Sequence, residues 1–281
     1  SFGSGWIILM IMLLAWRPYR RGVASVFTAV RTRQMPWWQG LGGVMGGFFV
    51  GVQSITVPLI GVAVFTVAVV AGQSSNSLLV DRIGLGPAGR QPITGARVLS
   101  ALLAIIGVTI AVSDRFSGSL LTTVGPVLLA FSAGLLIAVQ QAINGRVGAV
   151  AGRAVSAAFI NFTLGSVLLG AVLGGAWALS DFDPGQLPTG PWWIYTGGAV
   201  GVLFIASAAW VVQKVGVLLF ALLSISGQLL GALLLDLFAP TPGAVFHWQL
   251  AVGVAVAGVA VAVGTAPQWV QRRRLSAAVK E

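Results

Sequence analysis

The sequence predicts an all-α integral membrane protein with about nine transmembrane helices, arranged as two inverted five-helix repeats, with the first helix of the first repeat missing. Three observations predict it. The composition is too apolar for a water-facing exterior: 57% of the 281 residues are hydrophobic, 8% are charged, and the mean hydropathy is +0.95. A soluble domain carries about 25% charged residues. A pattern of residues also recurs along the chain, and charge alternates from loop to loop.

The recurring pattern fixes the repeat. The first copy runs Pro36-Trp37-Trp38, Gly42-Gly43, Gly46, Gly61, Phe65, Gly72-Gln73, Leu78-Leu79, Asp81. The second runs Pro191-Trp192-Trp193, Gly197-Gly198, Gly201, Gly216, Phe220, Gly227-Gln228, Leu233-Leu234, Asp236. Asp236 follows Asp81 by the same 155 residues that separate Pro191 from Pro36. A duplicated set of membrane helices is the signature of a secondary transporter, with a site formed between the halves.

Apolar length sets the spans at roughly 1–16, 37–57, 59–80, 94–112, 120–145, 154–178, 192–212, 215–236 and 246–265, taking about 20 residues per crossing. The first is short. Pro58-Leu59-Ile60-Gly61 and Gln213-Lys214-Val215-Gly216 read as tight turns in matching places. Such short links make their flanking helices antiparallel neighbours. The organisation that follows is residues 1–112 as the first repeat, 113–119 as an external linker, 120–265 as the second repeat and 266–281 as a basic cytoplasmic tail.

Charge supports this division. One set of loops receives Arg17, Arg20, Arg21, Arg31, Arg33, Arg82, Arg90, Arg97, Arg146, Arg153, Lys214, Arg272, Arg273, Arg274 and Lys280. The other receives Arg115 with Asp114, Asp181, Asp183 and Asp236. The basic side is expected to be cytoplasmic, which places residue 1 outside and the C-terminus inside. Trp37, Trp38, Trp177, Trp192, Trp193 and Trp248 fall at span ends, where amphipathic rings favour the headgroup layer. The net charge of +10 is spread over loop clusters and does not form a nucleic-acid face.

The repeat exposes a gap. Asn161-Phe162-x-x-Gly165 matches Ser1-Phe2-x-x-Gly5, and the second half has one more span before that point. An additional N-terminal helix is therefore expected in the natural protein. With five helices per half, the second half inserts upside down, which places Asp81 inside and Asp236 outside.

The chemistry available is narrow. There is no cysteine and the single histidine is His247, so neither thiol chemistry nor a histidine-ligated metal is expected. No cofactor is expected. No phosphate-binding Gly-x-x-x-x-Gly-Lys-Ser/Thr motif occurs, which argues against direct ATP drive. No carboxylate falls mid-span. The deep polar residues are amides and hydroxyls.

Gln73 and Gln228 are repeat mates that lie about 12 Å along the helix from their aspartates, at 1.5 Å per residue. Both are expected to face the protein interior, as substrate contacts or as ties between helices. Asn76 belongs to Gln73-Ser74-Ser75-Asn76-Ser77, the most polar stretch in any span. Gln140 and Asn144 share a helix face, beside Gln141. They form a vestibule wall or a polar helix end, and Asn161 is a ligand contact or a cross-helix bond. Asp81 and Asp236 close their helices where a negative charge opposes the macrodipole. Both are candidates for a structural or gating ion pair, Asp81 with Arg82 or Arg97. Glycines at Gly43, Gly47 and Gly51, and at Gly197 and Gly201, permit close helix packing or a homodimer contact.

The Pro-Trp-Trp…Gly-Gly-x-x-Gly, Gly-Gln…Leu-Leu-x-Asp and Gln-x-x-x-Asn-Gly…Asn-Phe-x-x-Gly blocks resemble the YdcZ-type inner-membrane exporters of the drug/metabolite transporter superfamily, near the EamA-like proteins. The resemblance covers residues 1–265. It implies ten helices in two inverted repeats in a bacterial plasma membrane, and a helix bearing a Gln-x-x-x-Asn pattern ahead of Ser1. It does not name a substrate. The reading from sequence is an exporter of small polar or amphipathic metabolites or drugs, working by alternating access. A membrane assembly subunit without transport, or an intramembrane enzyme, are the alternatives.

Overall fold

The computed structural model describes residues 2–111, 113, 120–179, 195–238 and 248–278. Most of these residues are helical, and none of the described residues lies in a strand. The helices are α1 (Phe2–Ala15), α2 (Arg17–Arg31), a 3-10 turn (Trp37–Gly40), α3 (Gly42–Ile83), α4 (Gly95–Ala111), α5 (Leu120–Val150), α6 (Ala154–Leu179), α7 (Gly197–Val215), α8 (Val217–Phe238) and α9 (Trp248–Ala278). Five described segments are long and apolar enough to cross a membrane: Gly42–Val62, Val124–Val150, Ala154–Leu179, Gly197–Val215 and Trp248–Ala266. Gly95–Ala111 and Val217–Gly231 are shorter apolar helices. Exposed Ile7, Ile11, Val167, Val172, Leu203 and Phe204 give these helices an apolar exterior. Trp37, Trp38, Trp177 and Trp248 are exposed near helix ends.

The two predicted turns are single-residue breaks. α3 continues through Pro58 and breaks at Gly61, with φ 75° and ψ 159°. α7 gives way to α8 at Gly216, with φ 83°. Both repeat mates therefore occupy a conformation that only glycine adopts without strain.

Residues 17–31 depart from expectation. They read as part of a basic loop, yet they form α2, bent by 106° from α1. Pro18 starts the helix without losing a needed donor. Tyr19, Gly22, Val23, Val26 and Ala29 recur at helical spacing and are buried. Arg17, Arg20, Arg21 and Arg31 remain exposed.

The described residues form two compact units, each drawn from both halves of the sequence. Unit 1 comprises Ser1–Val52, Leu85–Gly89 and Val139–Lys214; unit 2 comprises Gln53–Gly84, Arg90–Ala138 and Val215–Glu281. In unit 1, Leu9, Tyr19, Val23, Phe159, Phe162 and Val202 pack together. In unit 2, one cluster joins Val108, Ile225, Leu229 and Leu250, and another joins Ala104, Leu218 and Leu222. Lipid tails are as apolar as leucine, so close packing rather than water exclusion holds such helices together.

Tyr19 is fully buried against Phe159, ring centroids 6.3 Å apart, and its hydroxyl has no hydrogen-bond partner. Tyr19→Phe removes an unpaired polar group and keeps the ring. It should stabilise the protein by about 1 kcal/mol, seen as a higher unfolding temperature in detergent. A lower one would mean the hydroxyl is engaged.

Candidate functional site: two buried amide clusters and a carboxylate latch

Unit 1 builds its polar cluster on a glycine crossing. A Cβ on Gly43 would collide with the Asn161 carbonyl, and one on Gly47 would lie 3.1 Å from Leu168 and 3.3 Å from the Gly165 oxygen. The start of α3 therefore lies directly against α6. The same bare surface receives the amides. A Cβ on Gly42 would sit 2.5 Å from Asn144 Oδ1, and one on Gly46 2.6 Å from Gln140 Nε2 and 3.5 Å from Asn161 Oδ1. The structure thus brings Gln140, Asn144 and Asn161 together.

These side chains are buried: Gln140 is 4% exposed, Gln141 6%, Asn144 3% and Asn161 1%. Asn161 donates through Nδ2 to Asn144 Oδ1 at 3.3 Å. The opposite oxygen, Asn161 Oδ1, has no partner, and neither does Gln141 Oε1. An unsatisfied buried acceptor costs about 1–3 kcal/mol, which a bound donor would relieve. The cluster is neutral, so it suits hydrogen-bond donors without requiring charge.

Unit 2 holds the second cluster. A Cβ on Gly72 would strike the Phe131 carbonyl and one on Gly134 the Val69 carbonyl, so α3 and α5 touch backbone to backbone. Gln73 is buried beside this contact. Asn76 donates to the Leu135 carbonyl at 2.7 Å, and Ser77 to the Gln73 carbonyl at 2.6 Å. Asn76 is thus committed to the backbone of α5. Ser74 Oγ is buried without a partner.

Asp81 has a role the sequence did not announce. Its carboxylate pairs with Arg97 on α4, as charge proximity suggested. It also accepts from the Val217 amide at 2.8 Å and the Leu218 amide at 3.1 Å. These are the first two residues of α8, and the preceding Val215-Gly216 offers no capping side chain. Asp81 supplies the cap from α3, with its negative charge at the positive end of the α8 dipole. Arg82, the other suggested partner, is exposed. The unmet capping need after Gly216 was the available signal, but nothing in the sequence said which distant residue would meet it.

Two expectations come out differently or stand aside. Gln228 is exposed rather than interior. The buried face of α8 is taken by Leu218, Leu222, Ile225 and Leu229, and Gln228 lies to one side of it. Asp236 falls on α8, but its side chain is outside the described residues. So are Asp114, Asp181, Asp183, His247, Trp192, Trp193, the 114–119 stretch and the side chains of Arg272, Arg273 and Arg274. Among the described residues no group of three His, Cys, Asp or Glu could hold a metal ion.

Several helices of membrane-crossing length and apolarity define a multi-pass membrane protein. The chain belongs to the YdcZ family of the drug/metabolite type, described as "Putative inner membrane exporter, YdcZ", which matches residues 1–110 and 125–263. No curated protein matches significantly. Among solved structures, one titled only "Crystal structure of protein" aligns with a TM-score of 0.60 at 21% identity, over 94% of this chain and 97% of that one. At that identity the likeness concerns the fold alone.

Proposed function

We propose that this chain is a secondary transporter that exports small polar or amphipathic molecules by alternating access between two inverted repeats. The observation that carries this reading is the buried Gln140–Asn144–Asn161 cluster, with unpaired acceptors at Asn161 and Gln141. Amides in lipid-embedded helices normally satisfy one another. Acceptors left open favour a visiting donor such as a hydroxyl, amide or amine. Gln73 is assigned as a second polar contact, with Asn76 beside it as a backbone tie. Gln228 is not assigned to the site.

The repeats are residues 1–112 and 120–265, with the basic tail in the cytoplasm. Matching left-handed glycines at Gly61 and Gly216 support the repeat. The aspartates are assigned as gating or ion-pair residues, Asp81 through its bonds to Arg97 and to the first amides of α8, and Asp236 as its repeat mate in the sequence. The partners are the lipid bilayer and a small-molecule substrate, and the glycine stripes also permit a homodimer. The residues assigned here hold and release a substrate and perform no bond chemistry.

A growth and metabolite-release screen tests this reading. Cells expressing wild type are compared with Gln140→Leu and Asn144→Leu variants at matched membrane levels. The expected result is a compound released by wild type and retained at least about ten-fold more by the variants, the effect of losing one good hydrogen bond. Equal release from folded variants would reduce the amides to helix ties.

A further inference from the structure

A groove in unit 1 lies outside both amide clusters. It runs between the first half of α2 and the turn from α5 to α6, lined by Pro18, Arg21, Gly22, Ser25 and the 149–153 segment, with a volume of about 530 Å³. We infer that it binds the headgroup of an anionic phospholipid.

Charge is the first argument. Arg21 and Arg153 line the groove, and exposed Arg17 and Arg20 flank it on the same helix. No described residue of this unit is acidic, so among the described residues of the unit no carboxylate neutralises these guanidinium groups. Paired guanidinium groups match the oxygens of a phosphate diester.

The backbone adds to this field. α6 begins at Ala154, directly after Arg153, so its positive dipole end lies at the groove. At its third residue, Ser156 Oγ is fully buried and has no partner. It sits 2.8 Å from where a Cβ on Gly22 would stand, and Gly22 itself lines the groove. A side chain at position 22 would close that approach.

Placement favours a lipid over a free anion. α2 turns 106° away from apolar α1, buries one apolar face on the protein and leaves its arginines exposed, free to meet a headgroup phosphate. Arg153 stacks 5.1 Å over half-exposed Trp16, and tryptophan favours the headgroup layer. Basic clusters at the cytoplasmic surface attract anionic lipid.

The test uses the purified full chain in neutral detergent–phosphatidylcholine micelles. Phosphatidylglycerol is titrated in, and binding is read by native mass spectrometry and by the unfolding temperature. Wild type should retain phosphatidylglycerol over phosphatidylcholine and melt at a higher temperature with it. Arg21→Gln/Arg153→Gln should bind at least about ten-fold more weakly, given the contribution of each surface arginine. Arg31→Gln/Arg33→Gln, which keeps the groove, should bind as wild type does. The changed side chains are exposed, so both variants should fold, and their unfolding temperatures in phosphatidylcholine alone verify this. No preference for phosphatidylglycerol, or equal loss in the two double variants, would overturn the site. Equal stabilisation by inorganic phosphate would identify a free-anion site and overturn the lipid assignment.

Discussion

Asp81→Ala will be the most damaging single substitution in the described chain. Asp81 is 2% exposed and Arg97 7%, and the carboxylate holds both the guanidinium and the first two amides of α8. Removing it leaves a buried cation unpaired and a helix end uncapped. Breaking a buried pair from one side costs about 3–5 kcal/mol. The protein should lose folded yield in the membrane and unfold well below wild type in detergent. Asp81→Ala/Arg97→Leu should recover part of the loss, because the stranded charge is gone while the missing cap remains. Asp81→Asn should fall between, since an amide oxygen still accepts from one backbone N–H. A double variant no better than Asp81→Ala would place the damage in the cap rather than the ion pair.

Gly43→Val should be the next most severe. The added side chain meets the α6 backbone at Asn161 and Gly165, which cannot rotate aside as a flexible side chain would. Overpacking of this kind costs about 1–3 kcal/mol. It should also push α3 off the amide cluster. Transport is therefore expected to fall by more than the stability loss explains. Gly51→Val supplies the control, since nothing lies within 4 Å of a Cβ there. Folded protein at matched levels, assayed for release and for unfolding temperature, separates the two effects. Equal behaviour of the two variants would contradict the crossing.

What could be read ahead of the structure follows from what physics leaves in a sequence. Helix extents were legible because apolar length must match the bilayer, and the breaks at Gly61 and Gly216 because small turn residues interrupt that length. Gln140 and Asn144 were recognisable as one face from their spacing of four. Their union with Asn161 was less so, because it depends on how α5 packs against α6, which spacing within either helix does not reveal. Gln228 shows the limit of repeat symmetry. α8 is apolar on every side, so periodicity could not tell its inner face from its outer one. α2 was obscured by its arginines, although Tyr19, Val23 and Val26 carried the helical spacing. The capping by Asp81 of a helix 136 residues away left no local trace.

A substrate held by the unit 1 amides must reach them from water, and a sequence without cysteine makes that access directly testable. Asn144→Cys would be treated in intact and in inverted membrane vesicles with a membrane-impermeant thiol reagent. Asn161→Cys would serve as a second reporter, and denatured protein as the labelling maximum. The account predicts that both cysteines react in the folded protein, and that the favoured side shifts when a released compound is supplied. Labelling that appears only after denaturation, at both positions, would show the amides sealed within packed helices and contradict the transport site.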